Sequence, residues 1–295
     1  MIKSVFIAIC FLLTFNANAT SQFGDILIWN GDTLALFSNP LEFRSDWDEL
    51  SKTIHAALLK EDMRLYPEKY EGEEVELMFS SACWRGYVAE WQIIEDKIYL
   101  SNIFSCMNYN VKVDIKKVFP AECDNGFVFG DWVCGELVVP KGPCIKRINP
   151  DYKSVYEKEI VFMFQNGILA NLTAYKNYVA KESGFSMSTN LYSLPTFLYS
   201  NINWDQLPSV GDAPKQVSVG IQPDKDGQID SVLWENTYMI DESKIVVDSN
   251  NVFIKEALRI ARLIPDWDVI YQRGKIVSTG LFIDFHQENR NRYAH

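Results

Sequence analysis

The chain has 295 residues, 47% of them apolar and 23% charged, which is the composition of a folded globule. Lys and Arg number 28 against 39 Asp and Glu, a net charge of −11, so a phosphate-reading surface is not expected and nucleic acid is set aside as a partner. Three histidines are too few for a His-rich metal centre, and no metal or cofactor is expected.

At the start, Lys3 precedes the apolar run Val5–Phe15, and Ala17-Asn18-Ala19 supplies a small-x-small cleavage site. This pattern predicts a secretory signal peptide over residues 1–19, too short to be a comfortable spanning helix. The mature chain is then expected in the periplasm or outside the cell, with no membrane span once the leader is removed. Export permits disulfides among Cys83, Cys106, Cys123, Cys134 and Cys144. Cys134 and Cys144 flank a Gly-rich stretch and are the pair expected to bridge. The odd count leaves at least one thiol unpaired within the monomer.

Residues 25–37 alternate apolar and polar around Asn30-Gly31, which predicts a hairpin with a two-residue turn. A helix follows over 45–60. Ser45 and Asp48 are placed for a capping box, and Trp47, Leu50, Ile54, Ala57 and Leu58 recur at helical spacing. His55 sits beside that stripe and reads as a half-exposed surface residue. Residues 76–179 read as strands. Gly86–Ile94 and Ile98–Phe104 flank a polar turn at 95–97, and Asn125-Gly126 and Asn166-Gly167 mark two more turns. The economical organisation is a β-rich domain with one helix and an antiparallel sheet over 24–180. An aromatic connector follows over 181–208, then a second domain over 209–287. The connector carries Phe185, Tyr192, Phe197, Tyr199 and Trp204 and is expected to pack, since a free linker is poor in aromatics.

The second domain reads strand, strand, helix, strand. Val217, Val219 and Ile221 alternate, and residues 224–227 form a turn. Residues 250–264 are helical with Arg259 and Arg262 late, Pro265 stops the helix, and Lys275–Phe285 forms a last strand. Four blocks stand in order: Asp226-Gly227-Gln228-Ile229, Glu256-Ala257-Leu258-Arg259, Pro265-Asp266-Trp267 and Gly274-Lys275-Ile276-Val277. In this order, over about residues 210–286, they resemble the C-terminal domain of the TonB energy-transducer family. The resemblance implies an α+β fold: a small β-β-α-β domain with an antiparallel sheet follows the β-rich first domain. It also implies a non-enzymatic role, with an exposed sheet edge pairing with an extended segment of an outer-membrane transporter or another envelope protein. Carried onto this chain, the pairing element is the last strand, with Lys275, Val277, Thr279, Gly280, Leu281 and Ile283 as the partner-binding residues. The chain departs from the family in lacking a spanning anchor and a Pro-rich spacer, in Pro223, and in Val269-Ile270 where Pro-Gly is common.

No phosphate-cradling, zinc-protease or nucleophile-elbow motif occurs. Asp224, Asp226 and Asp230 do not make a calcium loop. With Gly227 sixth, Gln222 is first and Leu233 twelfth, where ligands are needed. The acidic residues Glu71, Glu73, Glu74 and Glu76 read as a solvated face. The competing reading is a secreted enzyme or glycan-binding protein working through the first domain, with Trp84, Trp91 and Trp132 as stacking candidates. A cleft holding two or more of them beside carboxylates favours that reading, and burial of all three ends it.

Overall fold

The structure is a computed structural model and describes residues 22–70, 80, 82–148, 152–183, 193–211, 215–242 and 244–294. The leader, the acidic residues 71–76, Phe185 and Tyr192 lie outside the described residues. The fold is α+β, and the chain divides into two compact units. Unit 1 holds residues up to Val139 together with Arg147–Ser154 and Phe162–Leu172. Unit 2 holds Pro140–Lys146, Val155–Val161 and Thr173–His295.

In unit 1, β1 (Asp25–Trp29) and β2 (Asp32–Leu36) form the expected hairpin. Asn30 and Gly31 both adopt positive φ, 52° and 84°, as a tight primed turn requires. Helix α1 (Trp47–Leu65) buries Leu50, Ile54 and Leu58, one face at a spacing of four. It starts two residues later and runs five residues further than expected. The capping box is absent: Asp46 is the cap residue and makes no side-chain cap bond, because its carboxylate is taken by Arg44. Strands β3 (Tyr87–Ile94) and β4 (Lys97–Ser105) pair antiparallel.

The sheet is not wholly antiparallel. Strand β1 lies parallel to β3, with Leu27 opposite Trp91, because β2 has already returned the chain to the end at which β1 begins. A second helix, the single turn α2 (Ile115–Val118), follows β4, so unit 1 has more than the one helix expected. Strands β5 (Cys123–Asp124) and β6 (Phe127–Phe129) turn at Asn125-Gly126. Three longer strands, β7 (Gly135–Lys146), β8 (Val155–Gln165) and β9 (Ile168–Lys176), contribute residues to both units.

Unit 2 continues with β10 (Tyr178–Lys181) and α3 (Ser193–Ser200). Strands β11 (Lys215–Pro223), β12 (Ile229–Asp241) and β13 (Lys244–Val246) follow, then α4 (Val252–Leu263). Strands β14 (Val269–Gln272), β15 (Lys275–Ile276) and β16 (Thr279–Asp284) come next, and α5 (Gln287–Tyr293) ends the unit. The last strand is therefore shorter than the expected span of 275–285. Arg273 and Gly274 turn the chain, and β14 and β15 join β10 in a separate three-stranded sheet. Strand β10 falls within the expected first-domain span of 24–180 yet pairs with β14.

The other sheet runs β13-β12-β11-β16. Val217, Val219 and Ile221 on β11 and Leu281 and Ile283 on β16 are buried with Ile254, Ala257, Leu258 and Ala261 of α4. Asn251 caps α4 by accepting from the N–H groups of Phe253 and Ile254. The connector packs where it is described. Leu194, Leu198, Ile202, Trp204 and Leu207 belong to this same core.

The expected Cys134–Cys144 bridge does not form. Cys134 immediately precedes the extended β7 and Cys144 lies near its far end, too far apart for a disulfide, and both thiols are free and exposed. Cys83 and Cys106 are joined instead, with Cα atoms 6.5 Å apart, and Cys123 is also free. Replacing Cys83 and Cys106 together by alanine is expected to cost about 3 kcal/mol, the loop-closure value for a bridge of this sequence separation. Cys134→Ser with Cys144→Ser should shift stability by less than about 0.5 kcal/mol. Urea midpoints of the two double variants check both statements.

Candidate functional site

Strand β16 is the terminal strand of its sheet. It pairs with β11 in an antiparallel register that sets Ile283 opposite Val217, Leu281 opposite Val219 and Gly280 opposite Gly220. Antiparallel residues alternate between those that exchange both backbone hydrogen bonds with the partner and those whose N–H and C=O point away. The phase is fixed at one end, where the Phe285 N–H donates to the Lys215 carbonyl at 2.7 Å. Ile283, Leu281 and Thr279 therefore bond to β11. Asp284, Phe282, Gly280 and Ser278 turn their backbone groups outward.

Both ends of this outward row are occupied. The Asp284 carbonyl accepts from the Asn289 amide at 3.0 Å, and its N–H donates to the Tyr199 hydroxyl, whose pKa burial pushes up to about 12. The Ser278 carbonyl accepts from Lys146 Nζ at 3.3 Å, a group whose pKa burial lowers. Between these brackets stand Gly280 and Phe282, and their two N–H and two C=O groups meet no partner among the described residues. Phe282 is 51% exposed, large for an apolar ring. Gly280 is a close approach: a Cβ there would run into the Val219 carbonyl oxygen, so no side chain fits without moving β16 off β11.

The six residues expected to bind a partner divide accordingly. Lys275 is exposed but lies in β15, opposite Gln272. Val277 precedes β16, and its N–H donates to the Ile270 carbonyl. Thr279 begins β16 opposite Ile221. Leu281 and Ile283 are buried with their side chains in the core and their backbones on β11. Gly280 alone of the six offers its backbone to the open edge. Phe282 is the residue that sequence reasoning missed. Its signal was the alternation itself, since a strand that buries Leu281 and Ile283 must present 280 and 282 on its other set of backbone groups.

The first and third sequence blocks meet in space. The Gly227 carbonyl accepts from the Trp267 N–H at 2.8 Å, and Gln228 Nε2 donates to the Pro265 carbonyl at 2.8 Å. Gly227 has φ 80°, and a Cβ there would lie 2.7 Å from the Trp267 carbonyl oxygen. Glu256 accepts from the Asn203 N–H at 2.6 Å and pairs with Arg259, which in turn donates to the Asn201 carbonyl. The helix block thus fixes the connector as well as the helix.

In unit 1 the stacking candidates separate. Trp91 is fully buried, Trp84 is 56% exposed, and Trp132 lines a cleft of about 500 Å3 with Arg44, Asp46, Glu122, Phe129 and Asp131. One face of Trp132 is covered by the Arg44 guanidinium, 4.6 Å from the ring centroid. That guanidinium also donates to Asp46 at 2.7 and 2.8 Å and to Glu122 at 2.7 Å, and its hydrogen bonding to the Asp46 carboxylate leads the effects that raise the Arg44 pKa. The cleft therefore holds one of the three tryptophans, with its ring face and two of its carboxylates already engaged. Among the described residues no group of three or more His, Cys, Asp or Glu side chains could hold a metal ion.

Asp25 is the most deeply buried charge in unit 1. It accepts from Arg85 Nη1 at 2.8 Å, the Ala89 N–H at 3.0 Å and Trp91 Nε1 at 3.0 Å. Burial pushes its pKa up, against the pull of Arg85. Arg85 donates onward to the Phe23 carbonyl and the Tyr152 hydroxyl, both at 2.9 Å. With both carboxylate oxygens occupied, this cluster ties β1 to β3 and is a structural clamp. No family model matches the chain, and neither a curated protein nor a solved structure matches it. Asp25→Asn leaves Arg85 buried without its counter-charge and is expected to destabilise unit 1 by about 3–5 kcal/mol, read from the urea midpoint.

Proposed function

We propose that the chain is an exported, non-enzymatic interaction protein whose unit 2 captures an extended segment of a protein partner on the β16 edge. The observation that carries this reading is the bracketed pair Gly280 and Phe282. Four backbone groups are left unpaired between two occupied ends, beside an exposed aromatic ring. Proteins usually blunt such edges with charge, proline or a covering element. Here the ends are blunted and the middle is left open, which suits a short peptide strand added to the sheet. The resemblance of residues 210–286 to the TonB C-terminal domain supports the same reading. It points to periplasmic work linked to outer-membrane transport, with a transporter or another envelope protein as the partner. The engaged surfaces of Trp132 and Arg44 favour this reading over glycan binding by unit 1.

Proline is the discriminating substitution. The Phe282 N–H faces outward, so Phe282→Pro removes one edge donor and leaves the β11 ladder intact, as proline is tolerated on the open side of an edge strand. Titration with extended peptides from the periplasm-facing ends of outer-membrane transporters is expected to give saturable binding. Phe282→Pro should weaken it at least about tenfold, about 1.4 kcal/mol, while Phe282→Ser, which keeps the N–H, should lose much less. Equal binding by wild type and Phe282→Pro, or no binding by any such peptide, sinks the reading.

A further inference from the structure

One end of the open stretch is closed by a separate short helix. After Phe282 the next outward acceptor on β16 is the Asp284 carbonyl, and α5 covers it. Asn289, in the first turn of α5, makes the closure. Its amide donates to the Asp284 carbonyl at 3.0 Å and to the Tyr199 hydroxyl. Tyr293, the last residue of α5, stacks on the Tyr199 ring with centroids 5.5 Å apart. An added strand lies about 4.8 Å from the strand it joins. A partner segment that runs on past Phe282 therefore needs the place that Asn289 holds.

Helix α5 is weakly built and weakly held. It has seven residues, none of them buried, and His286 before it makes no side-chain cap bond. Helix α4 in the same unit has twelve residues, six of them buried, and its Asn251 cap. A helix of seven residues does not hold itself together in water, so α5 persists through its contacts with the rest of unit 2. Its anchors are the Asn289 amide, the Tyr293 ring and an ion pair of 3.8 Å from Arg290 to Asp205, whose side chain is almost fully exposed. An exposed pair at that distance contributes little. The strand beneath is fixed without α5. Phe285 is fully buried, and the Asp284 carboxylate accepts from Gln216 Nε2 at 2.8 Å. His286, in extended backbone, is the point about which the helix can leave while β16 keeps its register.

We propose that α5 is a strap that shortens the capture edge. Docked, it limits the open row to Gly280 and Phe282. Undocked, it frees the Asp284 carbonyl for the incoming strand. The inference rests on the open-edge reading above and adds regulation of that site: the strap and a long partner segment compete for Asp284, so each displaces the other.

Titration of the transporter peptides against wild type, Asn289→Ala and a chain ending at His286 tests this. The affinity of a site that is competent only part of the time is lowered by that fraction, so removing the strap should tighten binding about fivefold, and Asn289→Ala about twofold. Asn289→Ala leaves the helix in place and decides the question if truncation lowers the urea midpoint. In wild type, saturating peptide should abolish the contact between the Tyr199 and Tyr293 rings seen by NMR, which a merely structural helix would keep. Equal affinity in wild type and both variants, or a ring contact that survives saturation, overturns the strap and leaves the capture edge standing. No binding by any of the three chains removes the capture edge and the strap with it.

Discussion

The functional edge depends on one close backbone approach, that of Gly280 to the Val219 carbonyl. Because no side chain stands between them, β16 lies tightly against β11, and the register of the whole pair follows. With that register Leu281 and Ile283 turn into the core under α4, while Gly280 and Phe282 turn their backbones away. A substitution at 280 would therefore act on folding as well as on binding. The informative position for function is its neighbour, 282.

The surroundings of β11 fix the place of β16 at one end of the sheet. On its other side, β12 carries an irregular stretch at 234–237 that folds over β11. The Gly220 N–H donates to Thr237 Oγ1 at 3.1 Å, and the Ser218 hydroxyl donates to the Asn236 carbonyl at 3.0 Å. Gly220 is covered by Asn236, so β11 is buried on both faces. In unit 2 the turn at Gly227 leans on Trp267, and Glu256 and Arg259 hold the connector. Three of the four blocks that stand out in the sequence thus make contacts that assemble the unit.

Local chemistry was legible in the sequence, and long-range pairing was not. Each Asn-Gly turn appears with positive φ at both residues, because two-residue hairpins demand it. The α4 boundaries follow from its apolar spacing and Pro265. The cysteine pairing depends on which strands lie side by side, and spacing along the chain is a poor guide to that. Cys134 and Cys144 are separated by the length of an extended strand, whereas Cys83 and Cys106 are brought together where β3 and β4 meet. The residues at 45 and 48 had the right spacing, but the cap falls one residue later, with Asp46 in the cap position and its carboxylate held by Arg44. Phe282 was hidden by choosing the alternate set of residues on the last strand. Only the register shows which set bonds inward.

The central claim is that residues 280 and 282, and not 281 and 283, offer open backbone groups. Amide hydrogen exchange resolved to single residues tests it directly. The account predicts fast exchange at Gly280 and Phe282, with strong protection at Leu281 and Ile283. Protection at Gly280 and Phe282 equal to that of Leu281 and Ile283, or the reverse alternation, would contradict it.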